Sequence, residues 1–220
     1  MKKENYLEKL TYNNLENLAN FYKYKWFYGN FNLNIIGIRS NSNNSKEFDD
    51  FLYVAFEEYY NKNEKDNKFY KKKQYLKFNC TLNPGKFYLN NLMDPGGAAI
   101  IFEGQHLGAW KLGSFYSTDA LIQIKPIKIY RDKNKDDVID LDSKNVTTGL
   151  YGIFVHEHFQ TGDIAKEINK SSAGCIVLEK RSDFKVFIDT CKMQKSNSYG
   201  DTFSITIYNK EQVDKVLQNK

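Results

Sequence analysis

The chain has 220 residues, 41% of them hydrophobic and 15% aromatic, with a formal net charge of +5. That much apolar material excludes a disordered chain, and 3 Pro with 13 Gly exclude collagen-like and low-complexity classes. No apolar run approaches the ~18 residues of a membrane span, so no stable membrane insertion is expected. Residues 4–28 predict a helical start. Leu7, Leu10, Leu15, Leu18, Phe21 and Tyr22 recur near a 3.6-residue period, with Thr11 or Asn13 placed to split the stretch in two. After Gly29 the pattern changes. Leu33–Ile38 and Phe51–Phe56 read as strands, and Asn61–Lys73 as a charged, solvated loop.

Beyond that loop the text is almost entirely β. Gln74–Cys80 alternates, Asn83-Pro-Gly85 is a turn, and Phe87-Tyr-Leu89 follows as part of the same β text. A second turn, Asp94-Pro-Gly-Gly97, precedes Ala98–Phe102, a Gly104/Gly108 loop and a strand at Ala109–Leu112. Ala120–Ile124 and Ile127–Tyr130 flank Pro126, which argues for an edge or a bulge there. Leu150–Val155 predicts a strand ending at His156, Phe184–Met193 a short helix, Thr202–Tyr208 a strand and Lys210–Lys220 a terminal helix. The sum is a mainly β, α+β fold: a β-barrel or sandwich with N-terminal helices and a short C-terminal helix. Residues 1–30 are read as a helical segment and 31–220 as the body.

The chemistry-bearing stretch is Gly152-Ile-Phe-Val-His156-Glu-His158, a polar insert, then Ser171-Ser-Ala-Gly-Cys175-Ile-Val-Leu178. A His ends one apolar strand, and a Cys follows a small-residue turn and opens another. A free thiol titrates near about 8.5, and a neighbouring imidazole lowers that value or takes the proton. Small residues at the turn let backbone N–H groups approach a developing oxyanion. The competing reading is a buried packing Cys beside a solvated His pair. Cys80, Cys175 and Cys191 are an odd number with no CxxC pair, so no disulfide framework is expected. Cys80 and Cys191 lack an adjacent His and read as packing residues.

A strand ending in His, a spacer and then Ser172-Ala-Gly-Cys175 resembles the catalytic domain of the L,D-transpeptidase (YkuD-like) family, whose motif is His followed by Ser/Thr-His-Gly-Cys. Ala173 in place of the second His resembles a phage and prophage branch of that family. The similarity extends upstream through Ile36-Gly-Ile-Arg39, Phe48-Asp-Asp50, Asn83-Pro-Gly85, Gly104-Gln105, Lys111-Leu-Gly113, Ala120-Leu-Ile-Gln123 and Ile129-Tyr-Arg-Asp132. It covers roughly residues 33 to 208 and makes 31–220 the catalytic domain. The resemblance implies a Cys nucleophile, an acyl-enzyme on peptidoglycan stem peptides, and transfer to an amine or to water. Cys175 would be the nucleophile and His156 the base, because the family His directly follows the apolar strand. His158 shares a strand face with His156 and stays open as base or helper. Gly174, Ala173 and Ser172 would form the oxyanion and substrate-binding turn, with the N–H groups of Gly174 and Cys175 as donors. Two departures stand out: Ala173 for His, and Val177 where many members carry Arg.

No cofactor is implied. Three further readings are weighed against this one. His156, His158 and Cys175 offer three zinc ligands but lack a fourth spacing signal, which makes a zinc-dependent hydrolase the minor alternative. Asp132, Asn134 and Asp136 alternate like the first half of a calcium loop, yet position six is Asp137 and position twelve Ser143. A non-catalytic peptidoglycan-binding or structural phage-derived protein is the competing class. His106 reads as a loop histidine. Of 32 basic residues only Arg39, Arg131 and Arg181 are Arg, and no basic helix appears, so no nucleic-acid partner is expected. The basic N-terminus lacks an apolar core after it, so a phage-type lysin or remodelling enzyme is expected to be made in the cytoplasm and to act at the cell wall if released. The oligomeric state is left open.

Overall fold

Leu33, Ile35, Leu52, Val54 and Phe56 point to one side of their strands, and Ile36, Ile38, Phe51, Tyr53 and Ala55 to the other. Both faces are covered, which is why these strands are continuously apolar rather than alternating. A computed structural model of the chain describes residues 6–40, 43–62 and 68–217. Its strands are β1 (Asn34–Arg39), β2 (Asp50–Asn61), β3 (Phe69–Thr81), β4 (Ala98–Ile101), β5 (Gly104–Phe115), β6 (Thr118–Gln123), β7 (Ile127–Asp132), β8 (Val146–Gly149), β9 (Val155–Glu157), β10 (Ile176–Leu178) and β11 (Thr202–Asn209). Its helices are α1 (Tyr12–Phe21), α2 (Lys86–Asn90), α3 (Arg181–Ser196) and α4 (Lys210–Leu217). Eight strands close a barrel in the order β1-β11-β5-β6-β9-β10-β3-β2, and β4-β7-β8 form a separate small sheet. The mainly β class is as expected, and the closed barrel selects one of the two architectures the sequence allowed.

Inside the barrel Trp110, Leu121, Val155, Ile176, Leu178 and Ile205 meet Phe184, Phe187, Ile188 and Cys191 of α3. Cys80 and Cys191 are both fully buried there, as packing residues. The N-terminal segment and α4 cover the outer face of β1 and β2 through Leu7, Leu15, Leu18, Val213 and Val216. Thr11 does split the helical start. It caps α1 reciprocally, accepting from Asn14 N and donating its own N–H to Asn14 Oδ1 at 2.9 Å. The preceding turn is 3-10 (Tyr6–Lys9), and residues 22–28 are not helical. No helix among the described residues is long and apolar enough to cross a membrane.

Four local expectations are corrected. Phe87–Leu89 lies in α2 rather than in a strand, and the Gly104/Gly108 loop is the first half of β5. His106 therefore sits on a strand, with Nε2 3.0 Å from the Phe102 carbonyl. In the charged stretch expected as a loop over 61–73, Asn61 and Phe69–Lys73 extend the β2–β3 hairpin; residues 63–67 lie outside the described residues, as do 4–5 and 218–220 of the expected terminal helices. Residues 150–154 form no strand: only Val155–Glu157 joins the ladder.

The small sheet is fastened to the barrel by a buried charge. Arg39 on β1 is 1% exposed, and its guanidinium pairs with Glu103 while also donating to Asn83 Oδ1 (3.0 Å) and the Ile101 carbonyl (2.9 Å). Glu103 in turn accepts from Tyr130 Oη of β7 at 2.6 Å. A buried guanidinium is tolerated only when its donors are satisfied, and breaking such a pair strands a charge in low dielectric. Glu103→Ala is expected to destabilise the fold by about 3–5 kcal/mol, read as a lower urea midpoint. A loss under about 1 kcal/mol would show that water replaces the pair.

Candidate functional site

β9 and β10 are parallel neighbours, with Val155 opposite Ile176 and His156 opposite Val177. Cys175 directly precedes β10, so this pairing carries His156 and Cys175 into one cleft of about 570 Å³. The crossover between them, residues 158–175, contains no helix. It is held by backbone bonds from Ala165 N to Glu179 O and from Ile168 N to Lys46 O, both 2.9 Å, and by packing of Ile168 on Phe48 and Val177.

The turn that presents the thiol is built from Ser172 and Gly174. Ser172 is fully buried; its Oγ donates to the Cys175 carbonyl at 2.8 Å and accepts from Gly174 N at 3.1 Å. Gly174 has φ +123°, and a Cβ there would lie 2.3 Å from the Ala99 carbonyl of β4. Only glycine satisfies both conditions. The expected oxyanion pair is thereby reduced. The Gly174 N–H is committed to Ser172, whereas the Cys175 N–H has no hydrogen-bond partner among the described residues. Ala173 lines the cleft, and Ser172 shapes the turn from behind it.

Residues 150–154, which follow β8, wrap the sulfur, and side chains take the place of a sheet ladder. Gln123 Oε1 accepts from Tyr151 N (3.0 Å) and Ile153 N (3.1 Å), and its Nε2 donates to Gly149 O (3.0 Å). Trp110 Nε1 donates to Ile153 O at 2.8 Å. The Phe154 N–H then points at Cys175 Sγ at 3.4 Å, and the thiol lies 3.6 Å from Gly152 O.

The two histidines part company. His158 is fully buried, with Nε2 2.9 Å from Asp163 O and Nδ1 accepting from Gln160 N at 3.2 Å. Both nitrogens are consumed, and the ring does not line the cleft. His156 places Nδ1 2.7 Å from the Glu157 carbonyl. A carbonyl only accepts, so Nδ1 carries the proton and Nε2 is the basic nitrogen. Its ring packs on Phe159 (centroids 5.0 Å, planes 18° apart) and on Phe115 (5.0 Å, 55°). Burial drives its pKa down to about 4, and burial drives that of Cys175 up to about 11 against the opposing pull of the Phe154 N–H. Both shifts favour the uncharged forms, a neutral imidazole and a neutral thiol. No hydrogen bond joins Sγ to either imidazole among the described residues.

Several cleft residues carried no label in the sequence. Arg131 of β7 bonds Asp94 Oδ2 (3.0 Å) and Gly97 O (2.9 Å) and lies 4.8 Å over Tyr151. Lys170 caps the Phe87 ring at 4.5 Å. Arg131 is one of only three arginines in a Lys-rich chain, and that was the available signal.

No group of three His, Cys, Asp or Glu side chains among the described residues is placed to hold a metal. At the alternating acidic turn, the Asn134 side-chain amide donates to Asp136 (2.9 Å) and Asp140 (2.8 Å), presenting nitrogen where a cation needs oxygen. No family model, no curated protein and no solved structure matches the chain.

Two outcomes are expected from this geometry. Gly174→Ala should destabilise the protein by about 1–3 kcal/mol and slow alkylation of Cys175, because the turn must move off Ala99. In the native state iodoacetamide should label Cys175 and spare Cys80 and Cys191, which are fully buried. Its rate should climb continuously from pH 6 to 9, since a thiol near 11 gains thiolate throughout that range. A plateau below pH 7 would establish an ion pair instead.

Proposed function

We propose that the chain is a cysteine-nucleophile acyltransferase or peptidase of the L,D-transpeptidase type, acting on peptidoglycan stem peptides. The observation that carries this reading is the cleft shared by a partly exposed thiol and a neutral imidazole whose tautomer is locked by a backbone carbonyl. The resemblance of Ser172-Ala-Gly-Cys175 to the family motif supplies the substrate class. An enzyme of this kind, phage-derived or remodelling, would work at the cell wall once released.

The step balances simply. Cys175 Sγ attacks the carbonyl carbon of the scissile amide as its S–H proton passes to His156 Nε2, and the carbonyl π pair moves onto oxygen. The Cys175 N–H is the donor free to meet that oxyanion. Collapse returns the pair, breaks the C–N bond and moves the proton from Nε2 to the leaving amine. A thioester remains. Water or a second amine then attacks the thioester as Nε2 takes its proton; collapse breaks the C–S bond, and the proton passes from Nε2 to Sγ, restoring the thiol. Because the pair is neutral at rest, the proton transfer has to accompany attack, the thiolate being the nucleophilic form.

The test is incubation with purified peptidoglycan fragments, followed by mass analysis of both protein and fragments. An acyl adduct on Cys175, with new cross-links or shortened stems, is expected. Cys175→Ala and His156→Ala should abolish turnover to similar extents, since members of one nucleophilic unit are not additive. His158→Gln should lower stability while leaving measurable turnover, because both its nitrogens serve the 158–163 turn. Fragment binding without any adduct would reduce the chain to a peptidoglycan-binding protein. Loss of turnover with chelator would favour the zinc reading.

A further inference from the structure

His156 has no carboxylate to balance the charge it acquires during the proposed reaction. Its Nδ1 partner is a neutral carbonyl, and burial opposes the imidazolium. The charged side chains on the neighbouring strands and across the cleft have partners of their own. Glu157 on β9 faces Arg181 of α3 at 3.8 Å, and Asp119 on β6 holds Lys192 of α3 at 2.7 Å. Across the cleft Arg131 holds Asp94, and Lys170 lies over Phe87. Burial and the Glu157 carbonyl are the influences that act on the imidazole. What does contact the ring is aromatic. Phe159 stacks on it nearly parallel, Phe115 lies against it at the same centroid distance, and these two rings are 5.8 Å apart.

We propose that Phe159, backed by Phe115, is a positioning residue that holds the imidazole of His156 and stabilises its protonated form through the negative face of the π system. The inference rests on the proposed role of His156 as base. The electrostatics are those of a cation near an aromatic face, a contact that strengthens as water is excluded. His156 is 2% exposed while Phe159 is 46% exposed, so the imidazole side of the contact is withdrawn from water and the outer face of the Phe159 ring is not. The stacking makes no demand on the resting neutral ring beyond orientation and acts when Nε2 takes the thiol proton. The Glu157 carbonyl holds Nδ1 where a Ser-His-Asp arrangement has its carboxylate, and Phe159 supplies the charge stabilisation that a neutral carbonyl lacks. Tyr116 extends the wall outward. It meets the Phe159 ring at 5.5 Å from the tip of the β5–β6 hairpin, where Tyr116 and Ser117 both take positive φ (47° and 67°). Two-residue hairpins with both φ positive favour Asn and Gly, so a Tyr held there stands against its backbone preference.

The experiment replaces Phe159 in the full-length protein with phenylalanines carrying successively more ring fluorines, and follows the His156 ring protons by NMR from pH 3 to 8. Fluorination withdraws the negative π face while keeping shape and burial nearly constant. A stepwise fall of the His156 pKa, about one unit in total, is expected. His106, whose ring meets Trp110 rather than Phe159, should not move. A His156 pKa that stays constant or rises across the series overturns the proposal. Phe159→Leu should lower kcat with little effect on KM, and Phe159→Trp should restore kcat; equal losses for Leu and Trp would likewise count against it. The titration needs no turnover, so failure of the acyl-transfer reading and failure of this one are separable.

Discussion

The site depends on how the backbone of residues 150–154, just past the end of β8, is satisfied without a β-ladder. A segment that leaves the sheet inside a fold must find partners for its N–H and C=O groups, or it stays solvated and mobile. Here Gln123 takes two N–H groups and one carbonyl, and Trp110 takes another carbonyl. Both anchors stand on the paired strands β5 and β6, the stiff part of the barrel. Their bonds release the Phe154 N–H from sheet duty and aim it at Cys175 Sγ. The thiol thus sits against oriented backbone dipoles rather than against a charge, which accords with its neutral resting state.

A second constraint comes from the opposite wall. The turn bearing Cys175 rests on β4 at Ala99, and Ala99 is the cross-strand partner of Arg131 on β7. The small sheet therefore positions both the nucleophile's turn and the cleft's arginine. That sheet is fixed to the barrel by Arg39 and Glu103, so a buried ion pair remote from the thiol sets the relation of two cleft walls. Such pairs add little net stability over apolar packing and are retained where they define one arrangement. On this view the pair is part of the site's precision.

The strand and helix plan was legible where periodicity was strong. Leu33–Ile38, Phe51–Phe56, Thr202–Tyr208 and the start of α1 stand where their side-chain spacing put them. Phe87–Leu89 misled because a five-residue helix offers too few turns to show a 3.6 period. Gly104 and Gly108 misled because both take positive φ within a strand, a use of glycine that spacing does not distinguish from a loop. Leu150–Val155 misled most usefully. Its apolar character reflects packing around the thiol and the cleft, not a ladder.

The sequence by itself determined the mainly β class, the pairing of a strand-end His with a Cys on a small-residue turn, and the three thiols' division into one candidate and two packing residues. These are local matters of residue type and short spacing. Tertiary structure decided which histidine has a free basic nitrogen, because tautomer and access follow from distant carbonyls at Glu157 and Asp163. It also decided that burial pushes the thiol pKa up, that the Gly174 N–H is already committed, and that Arg131, Lys170 and Phe159 face the same cleft. Each of these is set by burial and by partners far apart in the chain, and neither quantity is written in a run of neighbouring residues.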